Sequence, residues 1–269
     1  MNYKETAVLY LVCVLTFILS GFLLFSKNIS RRLYLLTIIA ILCIEGAYIG
    51  IRWFDTGHPP IFGTFEATLC ASWMLILFSV LIDRKAQFAR IVIPIAALTL
   101  FYGLNFDKTG KPLVISEQSY WVYFHALFAW IAYGFYIFSF AGAVTILVNQ
   151  TTPTPLFTKE GERGGVDLFT YQTLLWGFFA QTIMFALGSY YSIRLHGSWW
   201  VWDPVEYLFA VSWCLYAIPI HGRILYGWGP QRIAWLILLG MVGTILFYWG
   251  LIYFPWATYH IFDTELKIH

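Results

Sequence analysis

Eight apolar stretches, at 7–25, 33–51, 65–82, 88–105, 121–148, 170–190, 205–221 and 233–254, follow one another with no soluble domain between them. Nothing else in the chain restricts its fold as severely. A helix rises about 1.5 Å per residue and a bilayer core is about 30 Å thick, so each stretch is near spanning length. Inside a bilayer the backbone must satisfy its own N–H and C=O groups, which a helix does. With 60% hydrophobic and 11% charged residues among 269, the expected fold is all-α. It is a polytopic membrane helix bundle of about eight transmembrane helices, one integral membrane domain over 1–269. The first stretch is too long for a typical signal segment and has no convincing cleavage site, so it reads as a retained helix. The net charge of +2 comes with no basic block, which gives no reason to expect a nucleic-acid partner.

Loop charge sets an expected orientation. Ten of the sixteen Lys and Arg fall on one side: Lys27, Arg31, Arg32, Arg84, Lys85, Arg90, Lys159, Arg163, Arg223 and Arg232. By the positive-inside rule that side is cytoplasmic, and both termini then lie outside. So does the connection at 190–204. The chain is expected in the cytoplasmic (inner) membrane as a multi-pass protein, or in a thylakoid membrane if it comes from a plastid.

That external connection carries the densest chemistry in the sequence. Gly197 to Glu206 reads G-S-W-W-V-W-D-P-V-E, with Trp199, Trp200, Trp202 and Asp203 within five residues. Tryptophan is common where helices leave a bilayer, and an aromatic belt is the plain reading. Three indoles beside a helix start also make a platform for a flat apolar ligand of porphyrin size. Asp203, Pro204 and Glu206 fit an N-cap, a first helical position and the acid of a capping box. Asp203 therefore reads either as a cap or as a recognition residue.

The six histidines divide by topology. His125 begins the fifth span and His260 follows the eighth, both on the Trp-rich side. Imidazole is a good haem-iron ligand, and such a pair can hold one iron axially. His221 ends the seventh span at the opposite side, about 25 Å away along a helix, and would belong to a second site. His196 and His58 read as loop residues and His269 as part of a terminus. Glu45 lies inside the second span, with Arg52 its expected partner. Thr64 is placed to cap the third helix. Four cysteines, Cys13, Cys43, Cys70 and Cys214, sit apart inside apolar stretches without a C-x-x-C, and read as buried inert thiols.

On these residues the chain resembles the haem-handling cytochrome c assembly proteins, most closely the CcsA (ResC-like) subunit family of the system II cytochrome c synthase. The family's W-G-x-x-W-x-W-D is met in altered form by Gly197 through Asp203, with His196 where the family usually has Trp. Asp203-Pro204-Val205-Glu206 resembles its D-P-K-E, with Val for Lys. Gly57-His58-Pro59-Pro60 and Phe65-Glu66 resemble its G-H-x-P and Y-E. Ser119-Tyr120-Trp121 through His125 resembles its S-Y-W-x-x-x-H, and Ala217 through His221 its Y-L-H. Near His260 the family often has L-H-S-Y, whereas here the histidine follows Tyr259. The resemblance covers most of 45–260.

It implies haem b as substrate and ligand. His125 and His260 would ligate an external haem iron beneath Trp199, Trp200, Trp202 and Asp203. His221 would ligate an inner haem, sharing it with a CcsB/ResB-like membrane subunit. It also implies an apocytochrome c partner whose C-x-x-C-H thiols add to the haem vinyl groups within a synthase complex. The chain offers no evident nucleophile, acid or base of its own for that step, so its part would be positioning. Arg52 or Arg194 would be available to meet a haem propionate. The alternative implied by related proteins is a haem carrier or membrane assembly protein of the CcmC or HemX type, without synthase activity.

Overall fold

A computed structural model describes residues 3–25, 30–82, 88–110, 113, 117–151 and 160–248. Among these residues the regular structure is entirely helical, and each expected stretch is met by one helix. They are α1 (Tyr3–Phe25), α2 (Arg31–Thr56), α3 (Thr64–Leu81), α4 (Ala89–Gly103), α5 (Tyr120–Thr151), α6 (Glu160–His196), α7 (Pro204–Tyr226) and α8 (Pro230–Tyr248). Helices α2, α3, α5 and α7 are long and apolar enough to cross a membrane, while α1, α4 and α8 hold shorter apolar runs. Large apolar side chains such as Phe17, Leu36, Trp176, Phe179 and Leu239 point outward. In water such a surface would aggregate, whereas in lipid it is the natural exterior. The chain is a helical membrane protein.

Two helices outrun their apolar stretches. Helix α6 covers 37 residues, although 170–190 is the apolar part, because its polar ends at Glu160–Gly165 and Arg194–His196 extend the helix without extending the apolar run. His196 is thus the last residue of α6 rather than a loop residue. Helix α2 continues through Arg52 to Thr56 and stops at Gly57, which takes a left-handed φ of 75° and donates its N–H to Trp53. Pro59-Pro60 then prevents further helix.

The helices group into two compact units, one with α1–α4 and the other with α5–α8. In the first, α2 packs on α1 and α3, and α4 packs on α1 and α3. The connection between α2 and α3 folds back so that Glu66 meets Arg52. Arg52 Nε donates to Glu66 Oε1 at 2.7 Å, and the Phe62 N–H donates to Oε2 at 3.2 Å. Both side chains are buried, and the guanidinium lies over the Phe65 ring. Glu45 is therefore not the partner of Arg52: seven residues apart on one helix, the two sit about 10 Å apart along its axis. Thr64 is not the cap of α3 either. Gly63 holds that place with a φ of 95° and no side-chain cap bond, which leaves Thr64 as the first helical residue. His58 is buried rather than solvated, its Nδ1 donating to the Pro59 carbonyl at 2.9 Å. Cys13 and Cys70 are buried as expected, whereas Cys43 and Cys214 are exposed on the apolar exterior.

In the second unit each helix packs on its chain neighbour, and α8 closes back on α5. All four contribute to one buried polar chain. Tyr136 donates to Gln181, whose amide reaches Ser212 at 3.4 Å; Thr244 lies within hydrogen-bonding distance of both Ser212 and Tyr216. The Tyr136 and Tyr216 rings stack with centroids 3.6 Å apart. Polar side chains that satisfy one another across helices fix register in a medium that gives no hydrophobic drive for helix association. Close approach of α5 and α6 needs small residues: a Cβ at Gly142 would meet Thr170, and one at Gly177 would meet Tyr136.

Candidate functional site

The segment of α6 from Met184 to Tyr190 is where three of the expected site residues, His125, Trp199 and Trp200, meet one helix. Met184 and Gly188 lie four apart and share a face, the one turned to α5. His125, in the second turn of α5, donates its Nδ1–H to the Met184 carbonyl at 2.9 Å. A carbonyl oxygen can only accept, so the proton is on Nδ1 and the lone pair of the neutral ring is on Nε2. A metal-binding imidazole is held in just this way, with one nitrogen anchored to the protein. The ring reaches that carbonyl because residue 188 is glycine: a Cβ there would stand 2.9 Å from Nδ1 and 3.0 Å from Cε1. The sequence carries no signal for Gly188, since a glycine inside a helical run gives no sign of what approaches it.

The same segment carries the tryptophans. The Phe185 ring meets Trp200 edge-on at 5.7 Å and stacks on Phe209 of α7 at 5.0 Å. Tyr190 sits against Trp121 of α5 at 4.5 Å and against Trp199 at 6.4 Å. About two turns of α6 thus support both the imidazole and the Trp-rich connection.

The connection itself is short, 197–203, and firmly tied. Gly197, with a φ of 74°, ends α6 by donating to the Ile193 carbonyl. Ser192 Oγ donates to the Ser198 carbonyl and Ser198 Oγ to the Trp200 carbonyl, at 2.9 and 2.7 Å. Asp203 is 2% exposed and caps α7, accepting the Val205 N–H at 2.8 Å within a full capping box. The capping role read from the sequence is therefore present. Glu206 does more than close the box. Its Oε2 accepts the N–H groups of both Val201 and Asp203, at 2.9 and 3.3 Å. For both amides to face one oxygen, the residue between them must bend into the left-handed region. Trp202 has a φ of 61°, the one positive value at a non-glycine residue among the described residues. That conformation costs about 1–2 kcal/mol, and it turns the indole outward.

The three indoles consequently differ. Trp199 and Trp202 are 58% and 66% exposed. Trp200 is half-buried, and its Nε1–H is enclosed without an acceptor among the described residues. A buried indole N–H normally finds a partner. Exposed aromatic faces, an orphaned donor and an oriented imidazole form a donor set that fits a flat aromatic ligand with polar edges and an iron centre.

His221 lies at the other end of α7, exposed, its Nδ1 donating to the Ala217 carbonyl at 2.9 Å. Beside it, Arg223 pairs with Asp167 through two 2.7 Å bonds, and Arg232 lies 3.9 Å from the Trp228 ring centroid. The structure thus separates His221 from the Trp-rich end by the length of the helix. His260 lies outside the described residues. Arg52 is committed to Glu66, and Arg194 is exposed in the last turn of α6.

Residues 62–255 match the family described as Cytochrome C assembly protein. The chain belongs to the cytochrome c assembly protein family. The matched range takes in α3 to α8, including His125, the Trp-rich connection and His221. The chain is also similar to curated proteins named for cytochrome c biogenesis. A cytochrome c biogenesis protein CcsA of Prochlorococcus marinus subsp. pastoris is 28% identical over 258 residues, 84% of this chain and 82% of that protein. The protein of the same name from Prochlorococcus marinus strain AS9601 is 27% identical over 257 residues, 84% and 83% of the two chains. That of Guillardia theta is 24% identical over 256 residues, 83% of each.

Proposed function

We propose that this chain acts in cytochrome c biogenesis by holding haem, as cargo, at the Trp-rich end of its second unit and presenting it for attachment to an apocytochrome c. The observation that carries this reading is the convergence on Met184–Tyr190 of an imidazole with its lone pair on Nε2 and a tied, outward-facing Trp connection. Family membership and the similarity to CcsA proteins support the biogenesis role independently of that geometry.

In this reading His125 supplies one axial ligand through Nε2, and Met184 with Gly188 sets the ring's direction. Trp199 and Trp202 cover the porphyrin, and the Trp200 N–H meets a polar group at its edge. Asp203 and Glu206 hold the connection in shape rather than touch the cargo. His260 supplies the second axial ligand. His221 belongs to an entry site at the opposite face, completed by a CcsB/ResB-like membrane subunit. The excess of basic residues on the His221 side puts the Trp-rich end on the outer face of the cytoplasmic membrane, or its thylakoid equivalent. Haem brings its vinyl groups, across which the two thiols of a C-x-x-C-H segment add as thioethers. The protein's part is to orient and shield, converting an encounter between two large molecules into a positioned reaction.

The test is co-expression of the full chain with a CcsB-like subunit and an apocytochrome bearing C-x-x-C-H, read as haem that stays on the cytochrome after denaturation. Covalent haem with the unaltered chain, and its loss in His125→Ala, is the expected result. A chain that purifies with haem but never supports attachment is a carrier, and the synthase reading is then wrong. A gently purified chain without haem rejects haem handling altogether.

A further inference from the structure

The first unit holds a carboxyl group that the haem reading does not use. Glu45 lies midway along α2 and is completely buried, and both its carboxyl oxygens lack a hydrogen-bond partner. The groups around it are in the same condition. Ser72 of α3 is its polar neighbour, completely buried, its hydroxyl turned toward the carboxyl but outside hydrogen-bond geometry. From α1, Cys13 lies within electrostatic reach, and one turn on, on the same face, Thr16 buries an unpartnered Oγ1. Helix α2 and the two helices that pack on it, α1 and α3, therefore each bury an oxygen without a formed hydrogen bond in this unit.

Packing does not account for this arrangement. An apolar side chain of similar shape would leave no orphaned oxygens. Nor is it an ion pair, since the nearest basic residue of the same helix, Arg52, is bound to Glu66. The other titratable groups facing Glu45 from α1 and α3 are the thiols Cys13 and Cys70, and neither brings positive charge. A carboxylate with no cation beside it is strongly disfavoured at membrane depth. Neighbouring hydroxyls that lack partners are the setting in which buried water binds and in which a proton can enter or leave.

We propose that Glu45, with Ser72 and Thr16, forms an intramembrane proton-binding site in the first unit. The acid holds its proton while the site is dry and passes it to water when the site hydrates; no electron moves. Ionisation places one negative charge among α1, α2 and α3, so the packing of these helices responds to the proton.

Dicyclohexylcarbodiimide tests this on the purified full-length chain. It reacts with neutral carboxylic acids in apolar surroundings: the acid proton moves to a carbodiimide nitrogen, the carboxyl oxygen bonds to the central carbon, and the adduct rearranges to a stable N-acylurea. Peptide mass spectrometry should find the label on Glu45, declining as pH is raised, and should not find it on Glu66, which is ion-paired. Sodium at fixed pH should give no protection; protection would make this a sodium site and overturn the proposal, as would an unlabelled Glu45 at acidic pH. As a second readout, the thermal midpoint of the unaltered chain should fall with rising pH more steeply than that of Glu45→Gln. Equal pH dependence of the two proteins would also overturn it.

Discussion

Gly188→Ala tests whether the groove in α6 sets the direction of His125. The added Cβ would stand 2.9 Å from Nδ1 and 3.0 Å from Cε1. Ordinary contact needs about 3.4 Å or more, so the ring must withdraw by about 0.5 Å. That stretches the 2.9 Å bond to the Met184 carbonyl toward about 3.4 Å, beyond the useful range for N–H···O. Losing the group that orients a metal-bound imidazole costs about 10–100-fold in affinity, or about 1.4–2.8 kcal/mol. Fold stability responds differently. Alanine is the better helix former by about 1 kcal/mol, which offsets a lost neutral hydrogen bond of about 1 kcal/mol. The expected phenotype is a chain of unchanged melting temperature that retains about a tenth or less of its haem under competition. Gly165→Ala, on the same helix with nothing within 4 Å of its new Cβ, serves as the control and should retain haem fully. The assay is haem per protein by absorption after purification, with dilution into apomyoglobin as the competitor. If Gly188→Ala holds haem as tightly as the control, the reasoning from groove to imidazole is wrong.

Four further substitutions probe the same geometry. Glu206→Ala removes the oxygen shared by Val201 and Asp203 and should lower stability by about 2–3 kcal/mol and release Trp202 from its left-handed bend. Asp203→Asn keeps an acceptor for Val205 and should change stability by less than about 1 kcal/mol; denaturant unfolding of the two variants compares them. Glu66→Gln leaves Arg52 charged and buried, so the thermal midpoint should drop by an amount matching about 3–5 kcal/mol, whereas a loss under about 1 kcal/mol would mean the pair is hydrated. Trp200→Phe keeps the contact with Phe185 but removes the orphaned N–H, and should leave stability unchanged while weakening haem retention; equal retention would show that the N–H does not meet the cargo.

The positions of all eight helices were legible because a span needs a long apolar run, and apolar runs can be counted. The ends of α6 were not, because a helix that leaves the bilayer becomes polar and no longer differs from a loop in composition. The Asp203 cap was legible, since capping depends on residues three apart. The second duty of Glu206, toward Val201, was hidden because it depends on the bend at Trp202. Proximity along one helix points from Arg52 to Glu45, yet the partner of Arg52 is fourteen residues away. The intervening chain turns back through Gly57, Pro59-Pro60 and Gly63, and sequence spacing does not encode where such a turn ends. The histidines could be sorted by membrane side from topology alone. That His125 rests on Met184 of another helix, in a groove opened by Gly188, is a tertiary fact with no local signal.

The most direct measurement is the haem content and absorption spectrum of purified His125→Ala, with and without imidazole in the medium, beside the unaltered chain and His221→Ala. His125 as an axial ligand at the Trp-rich end predicts a loss of haem in His125→Ala that added imidazole partly restores, with the restored spectrum matching the unaltered protein. Unchanged haem and an unchanged spectrum in His125→Ala would contradict the account.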